Sequence, residues 1–143
     1  MKLTEHFQLS EFTKHEPKDV PTNVIESLKL LCKTYLEPLR NVFGPIIINS
    51  GWRTEDENLL AGGAYRSYHL TGKAADIRCE SMDDAIRKAA YLLSREQQFI
   101  IKTNMIAELI VSWRPTRGTY WLHVAMKRDM HDDKHLVTFQ KYG

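Results

Sequence analysis

The stretch Ser67–Arg78, with the sequence SYHLTGKAADIR, joins a long polar loop to a short apolar strand. It places one histidine, His69, seven positions before one aspartate, Asp76. Strand alternation puts Asp76 on a single face of the predicted strand Lys73–Cys79, within an otherwise apolar run. A buried carboxylate needs a charged or hydrogen-bonding partner, or a metal ion. The stretch therefore predicts a loop-to-strand corner that brings a histidine and a carboxylate together.

The size and composition of the chain predict one compact domain over residues 1–143. Of these 143 residues, 43% are hydrophobic, which is enough for a single core and too little for two domains. The formal net charge is +2 with both signs interspersed, so no basic surface predicts nucleic-acid binding. No run approaches the roughly 18 apolar residues of a membrane helix, and we expect no membrane span.

Two further features bear on the cellular compartment. The N-terminal segment lacks the continuous apolar stretch of a secretory signal, so we expect synthesis in the cytoplasm without a visible signal peptide. Cys32 and Cys79 lie far apart and have no metal-ligand spacing. They are therefore expected to be two small buried thiols rather than part of a disulfide framework.

Apolar periodicity predicts helices and strands in a mixed order. The predicted helices are Pro21–Phe43, with a kink near Glu37 caused by Pro38, and Met82–Ser94. The predicted strands are Ile46–Asn49, Lys73–Cys79, Asn104–Ser112, Tyr120–Met126 and an edge strand Leu136–Phe139. A turn at Arg114–Gly118 should join two of these strands into an antiparallel hairpin. The sum is an α+β fold, a small and mainly antiparallel sheet with helices packed on one face.

A polar, glycine-bearing loop from Ser50 to Thr71 separates the first two predicted strands. A loop of this length within a small domain is usually functional. One helical turn is expected inside it, near Glu55–Leu60. His69 lies at its end, and this position favours a functional role for His69 over a purely structural one.

The histidine His123 lies in the middle of the predicted strand Tyr120–Met126. Strand alternation puts Ala125 on the same face as His123, and Ala74 on the same face as Asp76. Each candidate side chain therefore has an alanine two residues away. We expect these small neighbours to leave room for an extended substrate.

These residues together suggest a metal site. Two imidazoles and one carboxylate, from His69, Asp76 and His123, would form the three-ligand set of a catalytic zinc site with one position open for water. A closed structural zinc site would need a fourth protein ligand, and no cysteine is suitably placed. The alternative is that both histidines are structural and that no metal binds.

Several motifs occur in a fixed order along most of the chain. They are Phe7–Phe12, Leu36–Arg40, Ser50-Gly51-Trp52-Arg53, Gly62-Gly63-Ala64, Ser67-x-His69-x-x-Gly72-x-Ala74-x-Asp76 and Trp121-Leu122-His123-Val124. The last two resemble the S-x-H-x-x-G-x-A-x-D signature and the histidine strand of the zinc D-Ala-D-Ala carboxypeptidases and related peptidoglycan peptidases, the LAS metallopeptidases. The others resemble motifs of the small, phage-like branch of this family.

The resemblance implies roles for particular residues. It implies zinc bound by His69, Asp76 and His123. It also implies that Arg53 faces the substrate, where its guanidinium could hold a peptide carboxylate or a developing oxyanion. Ser67 is expected to orient the loop or the first ligand, and Trp121 is a candidate substrate contact. Gly72 is expected to permit a tight approach to the strand.

The chain departs from the family where a proton-transferring residue is needed. Many relatives carry an acid or a histidine three positions before the last zinc ligand, and this position is Tyr120 here. The branch motif F-D-Q-L-I-x-E corresponds to Ile106–Ser112, in which Ala107 and Ser112 replace the two acids. Glu108 is the acid that remains in this strand.

The role of Glu108 depends on the register of the predicted hairpin. If the hairpin is centred on the Thr116–Arg117 bond, Ile110 opposes His123 and Glu108 opposes Ala125. Glu108 would then share the face of the zinc ligand and could act as the catalytic base. A register shift of one residue would turn it to the other face, as a solvent-exposed strand residue.

Two functional hypotheses follow. The first is a zinc-dependent metallopeptidase that hydrolyses peptide bonds of bacterial peptidoglycan, as a D-Ala-D-Ala carboxypeptidase or a murein endopeptidase. The second is a zinc-bearing peptidoglycan-binding or phage structural module with little or no activity. Both have peptidoglycan stem peptides as partners and neither involves nucleic acid. We expect a monomer that acts in the cell wall or periplasm.

Overall fold

One sheet forms the centre of the fold in the computed structural model, which describes residues 1–98 and 105–143. The strands of these residues are β1 (Ile48–Ser50), β2 (Ala74–Cys79), β3 (Ile106–Arg114), β4 (Thr119–Met126) and β5 (Leu136–Lys141). Their spatial order is β1-β2-β4-β3-β5, and only the β3–β5 pair is parallel. The predicted α+β fold with a mainly antiparallel sheet is confirmed. The predicted strand start at Asn104 lies outside the described residues.

One face of this sheet is covered by the helices α1 (Thr22–Leu31), α2 (Glu37–Phe43) and α4 (Met82–Gln98). The structure also has a short helix, α3 (Glu55–Leu60). Side chains of α1, α2 and α4 pack in one core with alternate residues of the strands, among them Leu28, Leu39, Leu92, Ile77, Leu109 and Leu122. Both Cys32 and Cys79 are free thiols in this core, as expected. The other sheet face carries Asp76 and His123, and α3 lies on that side beside the loop of His69.

The predicted break in the first helix is a π-helical turn. Cys32–Leu36 separates α1 from α2, and the backbone N–H of Glu37 donates to the carbonyl of Cys32. Pro38 follows at once, and its ring has no N–H to continue the regular ladder. The wider turn keeps Tyr35 and Leu36 buried, so the helix passes the proline without losing its apolar face.

The β3–β4 hairpin has the register expected for a hairpin centred on the Thr116–Arg117 bond, which was one of the two alternatives that the sequence left open. Ile110 pairs with His123, and Glu108 pairs with Ala125. A bulge between Ile106 and Glu108 then inserts one additional residue. Bulges turn side chains to a new face, and Ala107 packs on the side of Asp76 while Ile106 packs among the helices.

Across the described residues, no helix has both the length and the apolar character that crossing a bilayer requires. The longest helix, α4, has 17 residues and carries charged side chains throughout.

Gly72 allows the loop that ends at His69 to pack against α1. Its φ is +72°, which L side chains rarely adopt, and a Cβ there would lie 2.8 Å from the carbonyl oxygen of Val24. The expected close approach therefore exists, but it is made to the helix and not to the strand.

Replacing Gly72 by alanine should lower stability by more than the conformational cost alone. A left-handed alanine costs about 1–2 kcal/mol, and overpacking against helix backbone adds about 1–3 kcal/mol. Chemical denaturation should show this as a lower midpoint with an unchanged slope.

The matched control is Gly118→Ala. Gly118 has a φ of +60° and nothing within 4 Å of its Cβ position, so only the conformational cost applies. Equal losses for the two variants would contradict the account of how this loop packs.

Candidate metal centre

Three side chains converge on the open face of the sheet. Asp76 on β2 and His123 on β4 are directly opposite in the strand register. His69 reaches them from a 3-10 turn, Tyr68–Thr71, which precedes β2. Asp76 Oδ1 lies 2.9 Å from His123 Nδ1 and 3.3 Å from His69 Nε2. Ligand atoms of the three residues all lie within 4.8 Å of one another, so they could hold one metal ion.

The backbone fixes the orientation of the His69 ring. Its Nδ1 lies 2.7 Å from the carbonyl oxygen of Gly51. A carbonyl only accepts, so Nδ1 carries the proton of the neutral ring and Nε2 presents a lone pair to Asp76. This lone pair and the carboxylate repel each other unless a cation lies between them. Two imidazoles and a carboxylate are a common donor set for zinc, so the residues fit a divalent metal ion.

The segment that anchors His69 is itself held closely. The Arg53 N–H donates to the His69 carbonyl at 3.0 Å, and the Trp52 indole N–H donates to the Leu70 carbonyl at 3.0 Å. Gly51 lies so close to Phe12 that a Cβ would approach its backbone to 2.6 Å. The Ser50–Arg53 turn and the His69 turn therefore form one packed unit.

The electrostatics of the cluster favour a positive charge. Burial by itself raises the pKa of the Asp76 carboxyl, but the hydrogen bond from His123 outweighs it and holds this pKa well below its usual range. Burial lowers the pKa of His123, but its hydrogen bonds to Asp76 and Glu108 raise it to about 9. A metal ion that binds His123 through Nδ1 would displace the proton held there.

Arg53 projects into the centre beside Asp76, and three neighbours fix its guanidinium. Its Nε donates to Ser50 Oγ at 3.0 Å, its Nη1 to Asn58 Oδ1 at 3.3 Å and its Nη2 to Asp76 Oδ2 at 3.4 Å. Asn58 is buried on α3 and also donates to the Ala64 carbonyl at 2.9 Å. Helix α3 begins with a capping box between Thr54 and Glu57, so this short helix sets the position of Arg53.

Glu108 lies next to the three candidate ligands. Its Oε1 lies 2.9 Å from His123 Nε2, and its Oε2 accepts from Lys134 Nζ at 2.6 Å. Burial raises the pKa of Glu108, but hydrogen bonds from His123 and Lys134 lower it to about 2. Both oxygens are therefore engaged, and one of them orients the His123 ring, as carboxylates commonly do for metal-bound histidines.

The space beside the two strand alanines is filled by protein. Ala74 and Ala125 are fully buried, and they cluster with Ala107 and the ring of Tyr68. The expectation that these alanines leave room for substrate is therefore wrong. The three alanines leave the volume that the Tyr68 ring occupies, and this ring in turn lines the cleft.

Ser67 and Trp121 both line the cleft. Ser67 Oγ accepts from the His69 backbone N–H at 3.2 Å, which orients the turn that carries the ligand. Trp121 lies two residues from His123 along β4, on the same face, and its ring centroid is 5.0 Å from that of Tyr142. Tyr120 instead packs against the helix-side core, so the position of the family's acid points away from the cleft.

Comparison with protein families shows which family the chain belongs to. A family model described as Peptidase M15 matches residues 5–104. The chain belongs to the peptidase M15 family. The match includes Arg53, His69 and Asp76 and ends before the strand of His123. No curated protein matches the chain significantly.

M15 peptidases are typically zinc-dependent metallopeptidases, so the family and the His69, Asp76 and His123 cluster agree on a metal-centred site. The resemblance to the LAS metallopeptidases is confirmed, while membership of the small, phage-like branch stays a prediction. The roles of Arg53, Ser67, Trp121 and Glu108 also stay predictions, although all four line the same cleft.

Sequence reasoning missed several cleft residues of this M15 family member. They are Arg66, Tyr68, Arg128, Lys134 and Tyr142. Sequence reasoning also missed Asn58, which lies on α3 and accepts from Arg53. Tyr68 is next to His69 in the opening motif, and its aromatic character could have suggested a packing role. The other cleft residues come from loops and a chain end whose approach to the cleft is set by tertiary structure and not by periodicity.

The cluster should bind one divalent metal ion per chain, and the Asp76→Asn variant should no longer bind this ion. The amide lacks the negative charge that holds the two imidazoles around a cation. Metal analysis after equilibrium dialysis measures the bound ion.

His131→Ala is the matched control, because His131 is an exposed histidine that does not line the cleft. Equal metal content in wild type and Asp76→Asn would show that the ion binds elsewhere.

Proposed function

We propose that this chain is a zinc-dependent peptidase that hydrolyses peptide bonds in the stem peptides of bacterial peptidoglycan, as a D-Ala-D-Ala carboxypeptidase or a murein endopeptidase. The observation that carries the proposal is the convergence of His69, Asp76 and His123 in a cleft of about 700 Å³ that also contains Arg53. Membership of the M15 family supports the chemistry. The substrate class rests on the resemblance of the motifs to peptidoglycan peptidases.

In this proposal His69, Asp76 and His123 hold the zinc ion. When bound, zinc polarises the scissile carbonyl and lowers the pKa of water to roughly 7. Arg53 binds the terminal carboxylate of the peptide or the developing oxyanion. Its contacts with Ser50 and Asn58 fix the guanidinium before substrate arrives, which reduces the entropy lost on binding.

Glu108 is proposed to carry the proton from water to the leaving amine. Its contact with His123, at 2.9 Å, supports this role. His123 and Lys134 stabilise the ionised carboxylate and lower its pKa to about 2, so one of these contacts must open before Glu108 is basic enough to take a proton from water. The Lys134 contact is the one at the exposed side of the cleft, where the lysine side chain is 44% exposed.

The engagement of both Glu108 oxygens also favours a second candidate function. If neither contact opens, the site would bind zinc and stem peptides without turnover, as a peptidoglycan-binding or phage structural module. In both proposals the protein acts as a monomer in the cell wall or periplasm.

Hydrolysis of defined muropeptides tests the proposed function. The zinc-loaded protein should release product from a stem peptide ending in D-Ala-D-Ala or from a cross-linked dimer, and a chelator should abolish release. Mass spectrometry of the products distinguishes the two activities. Stoichiometric zinc without release from either substrate would contradict the peptidase and support the binding module.

In the same assay, Glu108→Gln should lower kcat by about 100-fold, the usual contribution of a proton-transferring side chain. Glutamine keeps an oxygen that can accept from His123, so saturating zinc should still bind. Glu16→Gln, an exposed residue outside the cleft, is the control. Unchanged turnover in Glu108→Gln would remove Glu108 from the proton transfer.

A further inference from the structure

The cleft beside the metal cluster is rich in cationic side chains. Arg53, Arg66, Arg128 and Lys134 line it, against two carboxylates, Asp76 and Glu108. Both carboxylates already accept hydrogen bonds from cleft residues, Asp76 from His123 and Arg53, and Glu108 from Lys134. The cationic side chains of the cleft therefore outnumber its carboxylates, and a bound divalent ion would increase this excess of positive charge.

Two of these cations are organised by one aromatic ring. The guanidinium carbon of Arg128 lies 3.8 Å from the ring centroid of Tyr68, and Lys134 Nζ lies 5.8 Å from it. Tyr68 is itself buried on the three strand alanines described above. The sheet thus supports Tyr68, and Tyr68 supports both cations, at cation–π distances.

A carboxylate below the ring fixes the loop that carries both cations. Asp132 Oδ2 accepts from the Tyr68 hydroxyl at 2.8 Å and from the Arg128 backbone N–H at 3.0 Å, and Oδ1 accepts from the Lys134 backbone N–H at 3.1 Å. Burial raises the pKa of Tyr68 to about 12, so its hydroxyl stays protonated and donates. These bonds hold the loop between β4 and β5 in one conformation beside the cleft.

Donor capacity remains on both cations. Within residues 1–98 and 105–143, the ammonium of Lys134 donates to Glu108 alone, and an ammonium has three donors. The guanidinium of Arg128 donates to the Arg66 carbonyl and lies 3.9 Å from Asp132, and a guanidinium has five donors. Their side chains are 30% and 44% exposed, so a ligand in the cleft could reach them.

We propose that Arg128 and Lys134, supported on Tyr68, form an anion subsite that binds a carboxylate of the substrate beside the scissile bond. This inference rests on the proposed function and adds a specificity for acidic peptides. The subsite is distinct from Arg53, which approaches Asp76 from the Ser50–Arg53 turn that precedes α3. It lies toward the Glu108–Ala125 end of the cleft, whereas Trp121 and Tyr142 lie beyond His123 at the opposite end. A bound peptide thus meets a cationic end and an aromatic end.

A pair of stem peptides tests the subsite. The two peptides differ at one group only, the carboxyl group beside the scissile bond. This group is a free carboxylate in one peptide and a carboxamide in the other. Wild type should prefer the free carboxylate by about tenfold in kcat/KM, mainly through KM, as one charge-assisted hydrogen bond implies. The preference should shrink at high salt, because the side chains are partly exposed.

The variant Arg128→Gln should lose this preference, with kcat/KM reduced for the carboxylate peptide only. Arg128→Lys should retain part of it, because the charge remains. Arg87→Gln is the matched control, since Arg87 is an exposed arginine on α4 that pairs with Asp83 and does not line the cleft. An equal reduction for both peptides in Arg128→Gln would indicate a purely structural role and would overturn the subsite.

The outcomes separate this inference from the function on which it rests. Cleavage of both peptides at equal rates by wild type overturns the subsite and leaves the peptidase intact. If neither peptide is cleaved, the proposed peptidase fails, and the same pair is compared by equilibrium binding to the zinc-loaded protein. In that comparison, the wild type should bind the carboxylate peptide about tenfold more tightly, and Arg128→Gln should lose this preference. Equal Kd values for the two peptides in the wild type would overturn the subsite.

Discussion

The carboxylate of Asp76 is the point on which the rest of the site depends. Its Oδ1 contacts the rings of His69 and His123, and its Oδ2 accepts from Arg53. Desolvation would make a lone carboxylate in this position unfavourable. Three elements each bring one partner to it. The β2–β4 register brings His123, the packed turn brings His69, and the short helix that carries Asn58 positions Arg53. Removing one partner would therefore affect the site and the local packing together.

Much of this arrangement follows from periodicity alone. Side chains in a strand alternate with a period of two, so the opposed positions of Asp76 and His123 require only the correct strands and register. The register of the next pair is the one expected if the hairpin is centred on the Thr116–Arg117 bond, and it puts Glu108 on the face of His123, one of the two alternatives that the sequence left open. The family motifs suggest His69 and Asp76 as the first two ligands and point to Arg53.

What the sequence did not predict depends on side chains that meet across long distances in the chain. Ala74 and Ala125 indicate a small volume, but not whether a ligand or the protein fills it, and Tyr68 fills it. Arg128 and Lys134 follow β4 in a polar loop with no periodic signal, and Asp132 fixes them at the cleft by hydrogen bonds. Asn58 carries no motif and acts only through its contacts with Arg53 and Ala64. Such networks arise from tertiary packing and have no local signature.

We propose that one zinc ion binds between His69, Asp76 and His123. Anomalous diffraction at the zinc edge from crystals of the zinc-loaded protein tests this proposal. We expect a single strong peak about 2.0–2.2 Å from one nitrogen of each histidine and one oxygen of Asp76. A peak at other residues, or none at this cluster in a protein that carries stoichiometric zinc, would contradict it.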